Sequence, residues 1–546
     1  MFKEKVSKKE FLKVVGMGCL ALCVIVGSFN LSSQGNQAKA KTYVIANGHE
    51  IKTMDPHDIL DSCILVRGNM YDGLTRFQGD PPLLEPWLTE SWEAGPEAKE
   101  WTFYLRKGVL FHDGSEMTGE DVVYSVEKLL NGGRAIAGTL IKVLKPGATE
   151  AVDRYTVKFH LTEPCAPFAG LAQFIFVLNK DVLERHEENG DYGNRWLATH
   201  GTRIGKDGAG TGAYGLKEWK PGSYWTYEKF PDYFKGWDQP HMKDVRVEVV
   251  YEAATSIVGL KKGIYHYWAD MRTYDEMQEL MKSPLLQEIH VRNPKINFIH
   301  LHNGKPPTSD VHFRKALNYA FDYDSLIQVV LHGYNERNIG YIPNSLFGSL
   351  DPEKDWYYTY DLDKAREELA KCEIDYKKYE PLVITTLGGY TTYIAMAETL
   401  MAGLEQLGIK ARIELTTWPT FCEKISKPET TAHMSIIGLS PYYFDPDHFA
   451  RLADPRGFGT YAGGSWYENP KITELHKKAL ATPDKEERIK LYQEAQRIEL
   501  QDASHIWLMQ VNYHNAVNKD VAGLENYSPY GRLQELREFY FKSEWE

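Results

Sequence analysis

Residues 101–129 read WTFYLRKGVLFHDGSEMTGEDVVYSVEKL. Trp101–Arg106 alternates in character and is rich in aromatic and β-branched residues, the pattern of a strand. Lys107-Gly108 and His112-Asp113-Gly114 supply turns on either side of the short apolar stretch Val109–Phe111. Thr118, with Asp121 three residues on, makes a capping-box start. Val122, Val123, Val126, Leu129 and Leu130 then recur at helical spacing until Asn131-Gly132-Gly133 stops the helix.

Outward from this phrase, strands are expected at 43–46, 155–161, 245–251, 298–301, 409–415 and 434–438. Helices are expected at 253–261, 313–321, 363–371, 392–407 and 485–501. Residues 186–212 are polar and glycine-rich and read as a long loop or connector. Strands and helices alternate through most of the second half, which argues α/β layering with crossover connections.

The chain has 546 residues, enough for two to four domains. A hydrophobic fraction of 43% with 25% charged residues excludes disorder for most of it, and excludes a multi-span membrane protein. A net charge of -12 with no long basic run argues against a nucleic-acid or anionic-lipid partner. The 34 Tyr, 22 Phe and 13 Trp fit both large cores and a stacking surface for a ligand.

Residues 1–40 read as an address. Five lysines precede an apolar run from Val14 to Phe29, and Ala38-Lys39-Ala40 supplies an A-x-A ending. That is the pattern of a cleaved secretory signal peptide. The run is short for a span of ~20 residues. Ser7–Lys13 resembles a twin-arginine export motif with lysines in place of both arginines, so the route stays open. Neither Cys19 nor Cys23 fits a lipoprotein box. The expectation is a free periplasmic protein with a net charge of -16 once six lysines and two glutamates are removed. Cys63, Cys165, Cys372 and Cys422 remain, with three full pairings open and free thiols equally admissible. Their spacings suit no zinc site.

No G-x-S-x-G elbow, H-E-x-x-H, Walker loop or dinucleotide fingerprint occurs. Several phrases, in order, resemble the peptide/nickel-binding family (family 5) of bacterial ABC-transporter solute-binding proteins. They are Thr53-Met54-Asp55-Pro56, Asn69–Leu74 (NMYDGL), Leu88–Trp92 (LTESW), the 101–129 stretch, Gly210–Tyr214 (GTGAY), Lys229–Gly236 (KFPDYFKG), 310–322 (DVHFRKALNYAFD), Asp445-Pro446 and Glu468-Asn469-Pro470. The resemblance covers residues 43–540.

It implies an α/β fold of the periplasmic-binding-protein type II class: two lobes joined by two crossing segments, with an extra domain inserted in lobe I. Lobe I would be 41–84, 211–298 and 511–546, the insertion 85–210, and lobe II 299–510. The crossing segments would lie near Phe298–Asn303 and Gln510–Asn515. It further implies capture of a peptide-like or other small polar or aromatic solute by hinge closure, delivery to an ABC-transporter membrane permease, no catalysis, no cofactor and a monomeric protein. Nickel or a metal chelate is the alternative within the fold; a secreted hydrolase or a sensor docking on a receptor are alternatives outside it.

Peptide-binding members commonly carry an aspartate three residues before the acidic-Pro pair, where it meets the peptide's α-amine. Tyr442 stands there in this chain. Tyr442, Tyr443 and Phe444 offer flat faces and hydroxyls to a ligand instead. Trp418, Tyr341 and Trp466 in lobe II, Asp61 in lobe I and Phe174 in the insertion complete the expected ligand contacts. His266, His300, His302 and His448 are imidazoles that could ligate a metal or, as is commoner, hydrogen-bond within the protein; no metal site is assigned.

Overall fold

The computed structural model describes residues 41–58, 64–132, 137–269, 273–524 and 535–545. The signal segment 1–40, Asp61 and Cys63 lie outside them.

Two long antiparallel strands, Leu286–Leu301 and His505–Asn518, form the spine of an 11-stranded sheet. On one side of this pair lie Tyr267–Trp268, Thr42–Asn47, Asp244–Val249, Tyr224–Lys229 and Tyr214–Lys220, which form lobe I. On the other lie Met434–Leu439, Leu382–Leu387 and Ala411–Thr416 in the expected lobe II, and the short strand Glu336–Arg337 pairs off this path with His505–Asn518. The helices Val311–Ala320 and Thr391–Gln406 pack over lobe II's end of the sheet.

The spine has an interruption with a chemical cause. Its register runs regularly from Leu286 to Arg292, breaks, and resumes at Ile296 opposite Gln510. Pro294 sits in the break; it has no N–H to donate to a ladder. Residues before the break pair only with lobe I's portion of the spine, and Ile296 is the first residue to pair with Met434–Leu439 of lobe II.

The insertion carries its own four-stranded sheet, in the order Thr89–Ala94, Glu100–Leu105, Thr156–His160, Thr149–Asp153. The strand and helix read from the opening phrase are Glu100–Leu105 and Gly119–Gly132. The Thr118 backbone N–H and hydroxyl both donate to Asp121 Oδ2, at 2.9 and 2.8 Å. One apolar cluster brings insertion residues (Phe103, Phe159, Phe168) together with Phe77 and with Tyr443 and Phe444, while a second gathers Tyr43, Tyr71 and Trp225 with Tyr124, Leu178 and Leu183 of the insertion.

The recurring phrases turn out to lock against one another. Lys128, on the helix of the opening phrase, pairs with Asp55 at 2.5 Å, both side chains 1% exposed. Asp72 accepts from Trp87 Nε1 at 2.7 Å and from Thr211 Oγ1 at 3.2 Å. Gly210 and Gly212 press so closely on the Asn69–Met70 backbone that a Cβ at either would stand 2.3–2.4 Å from its atoms. Only glycine fits there, which accounts for the G-T-G spelling.

One expectation is corrected. The segment 186–212 is not all loop, because it holds the helix Asn194–His200. Only Leu197 of that helix is buried, so no apolar period announces it. Trp196 instead stacks on His186 and His200, at 4.1 and 5.4 Å between ring centres.

Candidate functional site

The strand Met434–Leu439 delivers the chain to the loop Ser440–Phe444, and Asp445 then starts a helix, Pro446–Ala450. Asp445 serves as N-cap, accepting the Asp447 N–H at 2.9 Å, with proline in the first turn where no donor is needed. The same carboxylate takes a two-pronged ion pair from Arg488, at 2.6 and 2.8 Å, with both side chains under a tenth exposed. The acidic-Pro pair is therefore a structural anchor that fixes where the loop before it stands.

A second string begins at Asp447. It accepts from the Tyr443 hydroxyl at 2.9 Å and pairs with Arg456 at 2.7 Å. Burial works to raise the Asp447 carboxyl, but Arg456 overrides it and holds the group below its ordinary range. Arg456 also pairs with Asp454, which accepts from His476 Nδ1 at 2.7 Å; His476 Nε2 is left to accept the Tyr341 hydroxyl at 2.8 Å. Every carboxylate in this stretch is thus matched by an arginine or histidine.

The face left over is aromatic and cationic. Tyr442 is 41% exposed, and its ring stands edge-on to His448. His448 is buried, and burial together with neighbouring Arg451 drives its pKa well down, so it stays neutral. A cavity of about 180 Å³ opens here, between Tyr442, His448 and Arg451 of lobe II and Lys142, Glu163 and Cys165 of the insertion. Beside it, the insertion and lobe II share a backbone hydrogen bond, Ala166 N–H to Leu480 carbonyl at 2.8 Å.

Comparison with known proteins fits this frame. The model of the family described as bacterial extracellular solute-binding proteins, family 5 middle, matches residues 84–457. The chain belongs to this family. It is a solute-binding protein of the ABC-importer type. A curated relative from Escherichia coli (strain K12), named "Probable D,D-dipeptide-binding periplasmic protein DdpA", is 30% identical over 492 residues, 88% of this chain and 90% of its own. The ABC transporter-associated periplasmic binding protein DppA from Helicobacter pylori, solved in complex with the peptide STSA, is 25% identical. It superposes with a TM-score of 0.70 over 92% of this chain and 98% of its own. HbpA2 from Haemophilus parasuis, at 22% identity, shares the fold with a TM-score of 0.79, over 92% of this chain and all of its own. The named relatives are binding proteins.

The family's expected contacts fall in different places. Tyr442 and Trp418 are exposed, at 41% and 46%. Trp418 starts the helix Trp418–Ile425 and packs on Phe421 and Tyr461. Trp466 holds a left-handed φ of 50°, costly for a bulky residue, and donates its indole N–H to Thr431 at 2.9 Å. Tyr341 has no exposed surface, because its hydroxyl terminates the arginine–aspartate–histidine string. Tyr443, Phe444 and Phe174 are buried as well. Tyr442 and Tyr443 meet at the cavity; among the described residues the other expected contacts do not line it.

The histidines are held by protein groups. His266 Nδ1 accepts the Val44 N–H, and His302 bonds the Pro428 carbonyl. His300 meets His505 at 3.0 Å and donates to the Tyr461 carbonyl. Among the described residues no group of three potential metal ligands assembles. Cys165, Cys372 and Cys422 are free thiols. Sequence reading missed Arg451 and Lys142; a single basic residue on a short helix or in a loop carries no motif, and only folding sets the two across one cavity.

Proposed function

We propose that this protein captures a peptide-like solute between its two lobes and hands it intact to a membrane permease. The observation that carries the reading is the spine: both connections between lobes run as one antiparallel pair, interrupted at Asn293–Lys295 opposite Gln510–Asn512. A break in the ladder is where a small change in backbone angles would rotate lobe II against lobe I, and a second register shift falls at Asn297/Phe298, at the edge of the expected crossing segment. In this reading the expected lobe boundaries are kept, with the insertion at 85–210 travelling with lobe I.

DdpA's name and the peptide held by the Helicobacter protein support a peptide-like solute. Tyr442 narrows it. Asp445 and Asp447 are already matched by Arg488 and Arg456, so the loop offers no spare carboxylate for an α-ammonium. Tyr442 would stack on the solute or bond it through its hydroxyl, with Trp418 and Trp466 further along lobe II. We further propose that residues 1–40 are cleaved on export, that the protein is free and monomeric in the periplasm, and that it turns nothing over. No helix of the described residues is long and apolar enough to cross a membrane.

The test is titration calorimetry of refolded protein, freed of any carried-over solute, against di- and tripeptides and their N-acetylated forms. Saturable binding that N-acetylation weakens less than about threefold is expected. Absence of binding by every peptide and acetyl-peptide would refute the reading.

A further inference from the structure

Arg451 is short of an anion. Its neighbours Arg456 and Arg488 each hold carboxylates, yet among the described residues Arg451 forms no ion pair. Its Nε–H is buried with no acceptor. Among the described residues the guanidinium's one polar neighbour is His448, Nη2 lying 3.1 Å from an Nε2 that is also 3.1 Å from the Ser440 carbonyl. Neutral His448 supplies no counter-charge. Arginine keeps its proton at any physiological pH, so it cannot relieve a missing partner by neutralising. A guanidinium left with a buried, unmade hydrogen bond is costly unless something else supplies the acceptor.

The surroundings indicate what that acceptor is. Arg451 lines the 180 Å³ cavity from lobe II, and Lys142 lines it from the insertion. Glu163 also lines it, and Asp447 does too, but Asp447 is already engaged by Arg456 and the Tyr443 hydroxyl. The space is below the ~300 Å³ at which whole drug-sized ligands begin to fit. It is roughly that of six waters at ~30 Å³ each. A carboxylate with a few attached atoms fits; an oligopeptide does not.

We propose that this cavity is a carboxylate-binding subsite in which Arg451 of lobe II and Lys142 of the inserted domain take one carboxylate between them. Because the two cations come from different bodies, an occupied subsite ties the insertion to lobe II and favours the closed arrangement. The carboxylate comes either from a small free anion or from the carboxyl end of the captured solute; only the second source rests on the peptide-like reading.

The experiment is a thermal-shift and calorimetric titration at fixed ionic strength, using acetate against acetamide, and Ala-Ala against its C-terminal amide. Wild type, Arg451→Gln, Arg451→Lys and Lys142→Gln are compared. Acetate, not acetamide, is expected to raise the melting temperature of wild type. Its apparent affinity should fall about tenfold in Arg451→Gln, the size of one lost charge-assisted contact, and less in Arg451→Lys. If the solute is the source, amidation weakens Ala-Ala about tenfold in wild type and leaves Arg451→Gln unaffected. If amidation is neutral while acetate binding depends on Arg451, the subsite serves a free anion. Should Arg451→Gln fail to fold, Lys142→Gln carries the same comparison. An acetate response equal in wild type and the variants, or none in wild type, overturns the subsite, whatever the peptides do. Arg451-dependent acetate binding with no peptide bound would leave the subsite standing and remove the peptide reading.

Discussion

Phe77 and Phe444 meet edge to face, ring centres 5.1 Å apart and planes at 90°. Phe77 lies on the strand Thr75–Gln78, and Phe444 ends the loop that carries Tyr442. The pair therefore joins the N-terminal part of the chain to lobe II beside the proposed solute site. An edge-to-face pair contributes about 1 kcal/mol beyond its buried area. Replacing Phe444 with Leu keeps an apolar side chain and removes that geometry. Solute affinity should drop about fivefold, and the melting temperature of the free protein should fall by a few degrees as the buried contact is lost. Calorimetry on wild type and Phe444→Leu measures this; equal affinities would mean the contact does not help hold the lobes together.

Tyr442 and Tyr341 should separate binding from folding. Tyr442 is 41% exposed, so Tyr442→Ala should change stability by no more than about 0.5 kcal/mol. Solute affinity is where its loss should appear. Tyr341→Phe removes a buried hydroxyl that His476 accepts, and should cost about 1–2 kcal/mol of stability with unchanged affinity. Urea unfolding together with solute titration reads both. The opposite pattern would move the binding surface off the Ser440–Phe444 loop.

Asp445 and Arg488 form a buried two-pronged pair. Asp445→Asn leaves a guanidinium without its counter-charge and should destabilise the protein by ~3–5 kcal/mol. Chemical denaturation of the variant checks this, and a loss under 1 kcal/mol would show that the acidic-Pro pair does not anchor the loop.

Glu499 introduces a dependence on pH. It is fully buried, and burial pushes its pKa up to about 7, against hydrogen bonds from Ser504 and Trp507 that work in the other direction. Its carboxyl accepts the Ser504 hydroxyl and Trp507 Nε1, each at 2.6 Å, while burial disfavours the charged form. The folded state binds this proton more tightly than the unfolded chain, where an ordinary glutamate titrates near 4.5. The associated stability is complete below that value and lost as pH rises through about 7, a ceiling of ~3 kcal/mol. Urea midpoints for wild type and Glu499→Gln between pH 5 and 8 should diverge, wild type falling more steeply. Parallel curves would place the proton elsewhere.

Much of this fold was legible because its phrases are made of residues with no substitute. Gly210 and Gly212 lie against backbone, Asp72 and Asp55 are buried acceptors, and Lys128 is their kind of partner. The helix expected at 253–261 is Ala253–Lys261. The full length of Leu286–Leu301 was not legible beyond its last four residues, since Pro294 and a polar first half hide a strand that is buried by its neighbours rather than by its own alternation. The site was less legible still. Tyr341, Tyr442 and Tyr443 look alike in sequence, yet one terminates a hydrogen-bonded string, one holds Asp447, and one faces solvent. Which aromatic reaches a ligand depends on which arginines have claimed the surrounding carboxylates, and those pairs lie far apart in the chain.

The central claim is capture without chemistry through closure about the interrupted spine. Small-angle scattering of the refolded protein with and without a saturating peptide, followed by mass spectrometry of the recovered peptide, tests it most directly. A smaller radius of gyration on binding and a peptide returned unchanged are expected. An unchanged radius at proven saturation, or a cleaved peptide, would contradict it.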